Sequence, residues 1–412
     1  MSKQRPAAGT LLAAVSGDPA RLRLPPPGFQ CGEKIVVANI GADGDNDGEA
    51  VGAVSFYCTL PPLDTDDDGD GSQTTPTSEG NQEQQQEKQQ KQEQQQLVFS
   101  CRGRSVGALL ATESSVNEDD LDEAAAYETV DPFLFNEDYT PAGKTGFQVW
   151  AGTRLLIECM IWPPPPPGAV QSSGDSNDCE KRLALYRRMM SDGSANVLEL
   201  GSGVGVVGTT LAAVGANVLL TDLPTLVDNA VWPNVLRNSK PVGKVISSSD
   251  ERRGSTRTCT TCSSNDACPP WLAESEAVQV GKGWAAATSL DWTKSITAQL
   301  TKQQIDDVDI IVASDCVWLV SMLDALLDTV GAVFDAAVTS NMRRQSATFL
   351  MSFQRRDASA GDSSALFTTV GRVLESVQSR GWEFDCLAWR PVTLGDGEGE
   401  KEVFVFEIKP GR

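Results

Sequence analysis

Between residues 196 and 353 the chain alternates short, almost wholly apolar runs with longer amphipathic stretches. NVLEL (196–200), NVLLTD (217–222), GWAAATSL (283–290), VDIIVASD (308–315) and ATFLMSF (347–353) have the length and β-branched content of strands. The stretches 204–214, 225–238, 320–338 and 364–379 carry the helical period. Strands apolar on both faces, separated by helices, predict a parallel sheet buried on both sides. Two further runs, WEFDCLAW (382–389) and EVFVFEI (402–408), flank the turn-rich GDGEGE and predict an antiparallel hairpin at one edge. The count is therefore seven strands. Upstream, FQVWAGTRLLIECMIW (147–162) reads as an amphipathic helix that stops at Pro163 to Pro167, a stiff spacer, and CEKRLALYRRMM (179–190) reads as a charged helix.

Nearer the N-terminus, EKIVVANI (33–40), AVSFYCTL (53–60) and QLVFSCRG (96–103) predict a small β-unit. Between them lie DTDDDGDG (64–71) and NQEQQQEKQQKQEQQQ (81–96), too poor in apolar side chains to offset the entropy of ordering. The expected organisation is an N-terminal β-rich region over 1–145, with low-complexity inserts within 64–96. A main domain follows over 146–412, with inserts at 163–180 and 241–282. The second insert is polar, exceeds the length of an ordinary connection, and holds Cys259, Cys262 and Cys268. Three thiolates with only Asp266 nearby do not complete a zinc set, so no metal is expected.

Charge narrows the partners. Against 34 Lys and Arg stand 56 Asp and Glu, a net charge of −22. Such a surface repels a phosphate backbone and suits a basic protein substrate. Part of the excess lies where Glu118, Asp119, Asp120, Asp122, Glu123, Glu128 and Asp131 crowd a segment without Lys or Arg. No apolar run reaches the roughly 18 residues of a membrane span, so a soluble protein with no membrane partner is expected. Ten scattered cysteines without a secretory signal read as reduced thiols of a cytoplasmic protein, with the nucleus or, from Lys3 and Arg5 in an acid-free start, an organelle as alternatives, and a monomer is expected. The chain has no histidine, which excludes Ser-His-Asp and Cys-His catalysis and a histidine general base.

Candidate chemistry concentrates in VLELGSGVGVVGTTLAAVGANVLLTDLP (197–224), where two glycine fingerprints overlap. Gly203, Gly205 and Gly208 spell the dinucleotide spacing GxGxxG; Glu199, Gly201, Gly203 and Gly205 spell ExGxGxG. Either frame places a ligand at the carboxyl ends of the strands. They differ in charge. A pyrophosphate on the helix N-terminus would be repelled by a carboxylate at Glu199, by about 4 kcal/mol for unit charges a few Å apart at an intermediate dielectric. S-Adenosylmethionine carries a sulfonium and an ammonium instead, which an acidic strand end attracts. Asp222 ends the second strand, where a carboxylate can accept ribose hydroxyl protons from either cofactor.

With these residues in place, the chain resembles the seven-β-strand S-adenosylmethionine-dependent methyltransferases, specifically the methyltransferase-16 family with its many protein-lysine methyltransferases. Four motifs carry the resemblance across roughly 146–409: FQVWAG around Trp150, LELGSGVG at 198–205, LDW at 290–292 and ASDCVW at 313–318. It implies a Rossmann-like sheet with S-adenosylmethionine as cofactor. Trp150 is implied over the methionine part, Gly201, Ser202, Gly203 and Gly205 in the cofactor turn, Asp222 at the ribose, and Asp291 and Trp292 beside the adenine. Ser314 takes the family's small residue before the acid. The family's acid and aromatic pair becomes Asp315 and Trp318, with Trp where Tyr is common. A carboxylate orients an ammonium, and an indole face holds it by cation–π attraction. The expected activity is methyl transfer to a protein lysine. The alternatives are a small-molecule acceptor, favoured if the N-terminal segment closes the pocket; an NAD-dependent oxidoreductase; and a non-catalytic cofactor-binding scaffold.

Overall fold

The computed structural model describes residues 25–26, 28–36, 53–62, 95–101, 145–163, 174–240, 268–317, 319–339, 347–355, 368–394 and 399–411. Expectations about the low-complexity runs, the acidic segment 118–131, Cys259, Cys262 and Trp318 lie outside these residues.

Near the N-terminus, β1 (Cys31–Val36), β2 (Ala53–Thr59) and β3 (Gln96–Cys101) form an antiparallel sheet in that order. Helix α1 (Ala151–Ile161) then precedes α2 (Gly174–Ser191), which begins inside the stretch expected as an insert. The main sheet starts with β4 (Asn196–Leu200), followed by α3 (Val206–Val214) and β5 (Asn217–Asp222). A helical turn at Pro224–Leu226 runs through a π segment, Val227–Val231, into α4 (Trp232–Asn238). The wider π turn sits directly before Pro233, which has no N–H to continue an α ladder. After β6 (Ala277–Val280) and β7 (Gly283–Ser289) come α5 (Lys302–Asp306), β8 (Ile310–Ser314) and α6 (Val320–Thr339). The chain closes with β9 (Thr348–Gln354), α7 (Val370–Ser379), β10 (Glu383–Val392) and β11 (Lys401–Lys409).

The large sheet has eight strands in the order β10-β11-β9-β8-β4-β5-β7-β6. The five predicted core strands β9, β8, β4, β5 and β7 are parallel, and the predicted hairpin β10–β11 lies at one edge. The eighth strand, β6, adds to the seven expected. It lies within the stretch taken as an insert and pairs antiparallel with β7 through a tight turn at Gly281 and Lys282. Gly281 has φ 56°, and a Cβ there would stand 2.2 Å from the Ala213 carbonyl oxygen.

Side chains alternate between two buried layers, as a period of two requires. Val197, Val218, Leu220, Ile310 and Val312 face α1 to α4 and the small sheet; Leu198, Leu219, Ile311, Phe349 and Met351 face α6 and α7. The small sheet belongs to the first layer: Phe56, Phe99 and Leu97 are buried there, Phe29 meets Trp162 edge-on, and Trp162 Nε1 donates to the Thr59 carbonyl. Among the described residues no helix is long and apolar enough to cross a membrane.

Candidate active site

The chain order reverses at β4, which lies between β5 and β8, and the carboxyl ends of these strands open a crevice. A cavity of about 580 Å³ fills that crevice. Of the residues expected from the sequence, Trp150, Glu199, Gly201, Ser202, Gly203, Asp222, Asp291, Trp292, Ser314 and Asp315 all line it. Gly205 does not; it sits behind the lining as the N-cap of α3, at φ 80°. Sequence reasoning missed Thr145, Gln148 and Thr153 before and within α1, and Leu319 and Met322 at the start of α6. No charge or spacing marks them, since they meet only through the fold.

The turn after β4 depends on glycine. Gly201 and Gly203 have φ 69° and 58°, and a Cβ at Gly201 would stand 2.7 Å from the Cys316 Cβ and 3.1 Å from the Trp292 ring. The turn is pinned to β5: Ser202 N donates to Thr221 O at 3.0 Å, Thr221 N donates to Ser202 Oγ at 3.0 Å, and Gly203 N donates to Asp222 Oδ2 at 2.7 Å. The other Asp222 oxygen accepts from Leu223 N at 2.7 Å. Burial pushes the Asp222 carboxyl up to about 6 against the pull of these two N–H groups.

Glu199 is bound within the turn by a main-chain group that its sequence context does not reveal. Its Oε2 accepts the Gly208 N–H at 3.1 Å, in the first turn of α3. The carboxylate thus occupies the helix N-terminus where a dinucleotide would lay its pyrophosphate. Gly208, the third glycine of the dinucleotide spacing, is required by Glu199 itself, because a Cβ there would stand 2.4 Å from Oε2. Burial, reinforced by the Asp222 charge, pushes Glu199 up to about 8 despite the Ser202 hydroxyl and the Gly208 N–H.

On the far side of the cavity Trp150 is the N-cap of α1, but its side chain makes no capping bond. Its Nε1 donates to the Thr145 carbonyl at 3.2 Å. Asp315, at the end of β8 and 3 % exposed, does the capping: Oδ2 accepts from Gly152 N at 2.5 Å and Oδ1 from Gln354 N at 2.5 Å. Its φ is 49°, a left-handed conformation that Asp tolerates better than most residues. Next to it the hydroxyls of Ser314, Thr153 and Ser352 bond at 3.1 Å. Asp291 is tied locally, accepting from Thr293 N and Oγ1 and pairing with Lys294 at 3.0 Å; the Thr293 hydroxyl above all holds its carboxyl below the usual range. The Trp292 indole N–H is buried and, among the described residues, has no hydrogen-bond partner.

This lining fits S-adenosylmethionine: a glycine cradle that a Cβ would fill, two carboxyls that burial holds above their ordinary values and that a cation would favour in their charged form, and a buried indole donor without a partner among the described residues. A family model described as lysine methyltransferase matches residues 177–249 and 270–363, from α2 to just beyond β9. Over these residues the chain is similar to the methyltransferase-16 family, the family that its motifs resemble. The family match is narrower than the resemblance read from the motifs and does not include Trp150.

Solved structures similar to this chain include P. horikoshii TYW2 in complex with MeSAdo, at 8 % identity, TM-score 0.28 and 54 % coverage of this chain. The match spans less than two thirds of that protein, 62 %. A TehB-like SAM-dependent methyltransferase from Corynebacterium glutamicum is 16 % identical, with TM-score 0.27, covering 57 % of this chain and 98 % of the other. Magnesium protoporphyrin IX methyltransferase from Synechocystis with bound SAH is 12 % identical, with TM-score 0.28, covering 59 % and 90 %. A search of curated protein sequences returned no match. The likeness to known proteins rests on the family match over 177–249 and 270–363.

Proposed function

We propose that this methyltransferase transfers the methyl group of S-adenosylmethionine to a lysine side chain of a protein. The observation that carries the cofactor choice is the Glu199 carboxyl group on the α3 N-terminus, which takes the place a pyrophosphate would need and, once ionised, suits a cationic ligand. The family description and the net charge of −22 support a lysine-presenting, basic protein as acceptor. Among the described residues none of β1, β2 or β3 lines the cavity.

In this reading Gly201 to Gly203, Asp222, Trp292 and Trp150 hold the cofactor, which supplies a methyl group already activated on a sulfonium. The protein's task is alignment at near-attack distance, and no histidine base is needed. Asp315 fixes the start of α1 and so the wall that carries Trp150. Asp315 lines the cavity, and its carboxylate there is the group assigned to orient an incoming ammonium. The acceptor lysine, with an unperturbed pKa of about 10.4, must lose a proton before it can attack. The carboxylate opposes that loss while burial beside the cofactor's charge favours it, so Asp315 is assigned to positioning, with the proton passing to water.

Calorimetric titration with S-adenosylhomocysteine and with NAD tests the cofactor, and labelling of a cell extract with radioactive methyl donor tests the acceptor. The expected outcome is binding of the homocysteine product but not NAD, with labelled protein bands that release methyl-lysine on hydrolysis. Binding of NAD alone would overturn the first part. Product binding with label only in small molecules would transfer the assignment to a small-molecule acceptor.

A further inference from the structure

The outer edge of β3 faces no strand, yet its main chain is satisfied. Asn238 Oδ1 accepts from Val98 N at 2.9 Å, and its Nδ2 donates to Val98 O at 2.9 Å. Asn234 repeats the pattern on Ser100, accepting from its N at 2.8 Å and donating to its O at 3.0 Å. Two asparagines four apart on α4 thus copy a strand's ladder, because four helical residues advance about 6 Å and two strand residues about 6.8 Å. The two differ in where Nδ2 makes its second bond, which for Asn238 is the Asn234 carbonyl at 2.9 Å, one turn back in α4. Asn234, 1 % exposed, also donates from Nδ2 to the Val204 carbonyl at 2.9 Å, inside the glycine turn. The other anchors of that turn come from β5, the strand beside it; Asn234 ties it to β3, more than a hundred residues earlier.

We infer that Asn234 is a positioning residue for the cofactor turn and that through it the N-terminal sheet, which never lines the pocket, contributes to cofactor affinity. This rests on the reading of the 201–205 turn as the cofactor site. The turn has three residues with left-handed backbone, so its bound shape is entropically costly and each external anchor lowers that cost. Binding at the turn and docking of β3 are therefore coupled, and coupling is reciprocal.

Asn234→Ala and Asn238→Ala, made in the full chain and titrated with S-adenosylhomocysteine, separate this role from edge capping. Both lose their bonds to β3 and should melt at lower temperature. Only Asn234→Ala should also weaken product binding, by about tenfold, the scale of one lost buried hydrogen bond. Equal affinity in the two variants overturns the inference. Should Asn234→Ala fail to fold, hydrogen exchange on the wild-type chain decides: saturating S-adenosylhomocysteine should slow exchange of the peptide holding residues 96–101, and unchanged exchange there overturns the proposal. If the wild-type protein binds no product at all, it is the cofactor reading that fails.

Discussion

Gly201 and Gly208 are both glycines in one fingerprint, but the residues around them give them opposite jobs. Gly201 lines the cavity with φ 69°, where an L side chain costs roughly 1–2 kcal/mol, and an added methyl would press on Cys316 and Trp292. Gly208 is fully helical and buried, and an added methyl would press on Glu199 and Leu220. Gly201→Ala should therefore weaken S-adenosylhomocysteine binding by more than about tenfold while lowering the melting temperature only a few degrees. Gly208→Ala should show its main effect in the melting temperature. Calorimetry and thermal melts on the two variants check this; the reverse order would mean that the turn is built for packing and the helix start for the ligand.

Helix α1 shows how an element is held so that one residue at its start can serve the site. Its N-terminus is capped by Asp315 from β8, and its third turn is tied to the edge strand by an ion pair between Glu158 and Arg390, both almost fully buried. Removing one partner of such a pair leaves a charge without compensation. Arg390→Met should cost about 3–5 kcal/mol, seen as an earlier urea midpoint, and Glu158→Gln in the same chain should recover much of the loss. A loss of less than 1 kcal/mol in the single variant would show that the pair is dispensable. Elements such as β4, β5 and β8 were legible because burial on both faces writes an uninterrupted apolar run. Strand β6 was not, since AVQV is four residues long and follows a polar stretch. The identity of Glu199 was legible, but its partner was not: only the folded turn shows that its carboxylate meets Gly208 rather than open space. The pairing of Asn234 with Ser100 spans 134 positions and leaves no periodic trace in either segment.

Across the whole molecule, the two acids beneath the cofactor turn link folding, proton binding and ligand binding. Glu199 and Asp222 sit at about 8 and about 6 in the folded protein, against ordinary values of 4.5 and 3.8. The folded chain therefore binds more protons than the unfolded one between roughly pH 4 and pH 8, and stability falls as pH rises through that window. A cationic cofactor acts in the opposite sense, because it favours both charged carboxylates and must expel any proton they hold. S-Adenosylmethionine affinity should accordingly rise from pH 6 to pH 8, by up to about tenfold per pH unit where one proton is released. Thermal melts with and without the cofactor should diverge over the same range, the ligand-free midpoint falling and the ligand-induced shift growing. Calorimetry in two buffers of different ionisation enthalpy counts the protons, and Glu199→Gln should flatten the upper half of the profile. A flat affinity profile in the unmodified protein would show that neither carboxylate feels the cofactor's charge, and the Glu199 carboxylate would then keep its place on α3 for the sake of the helix alone.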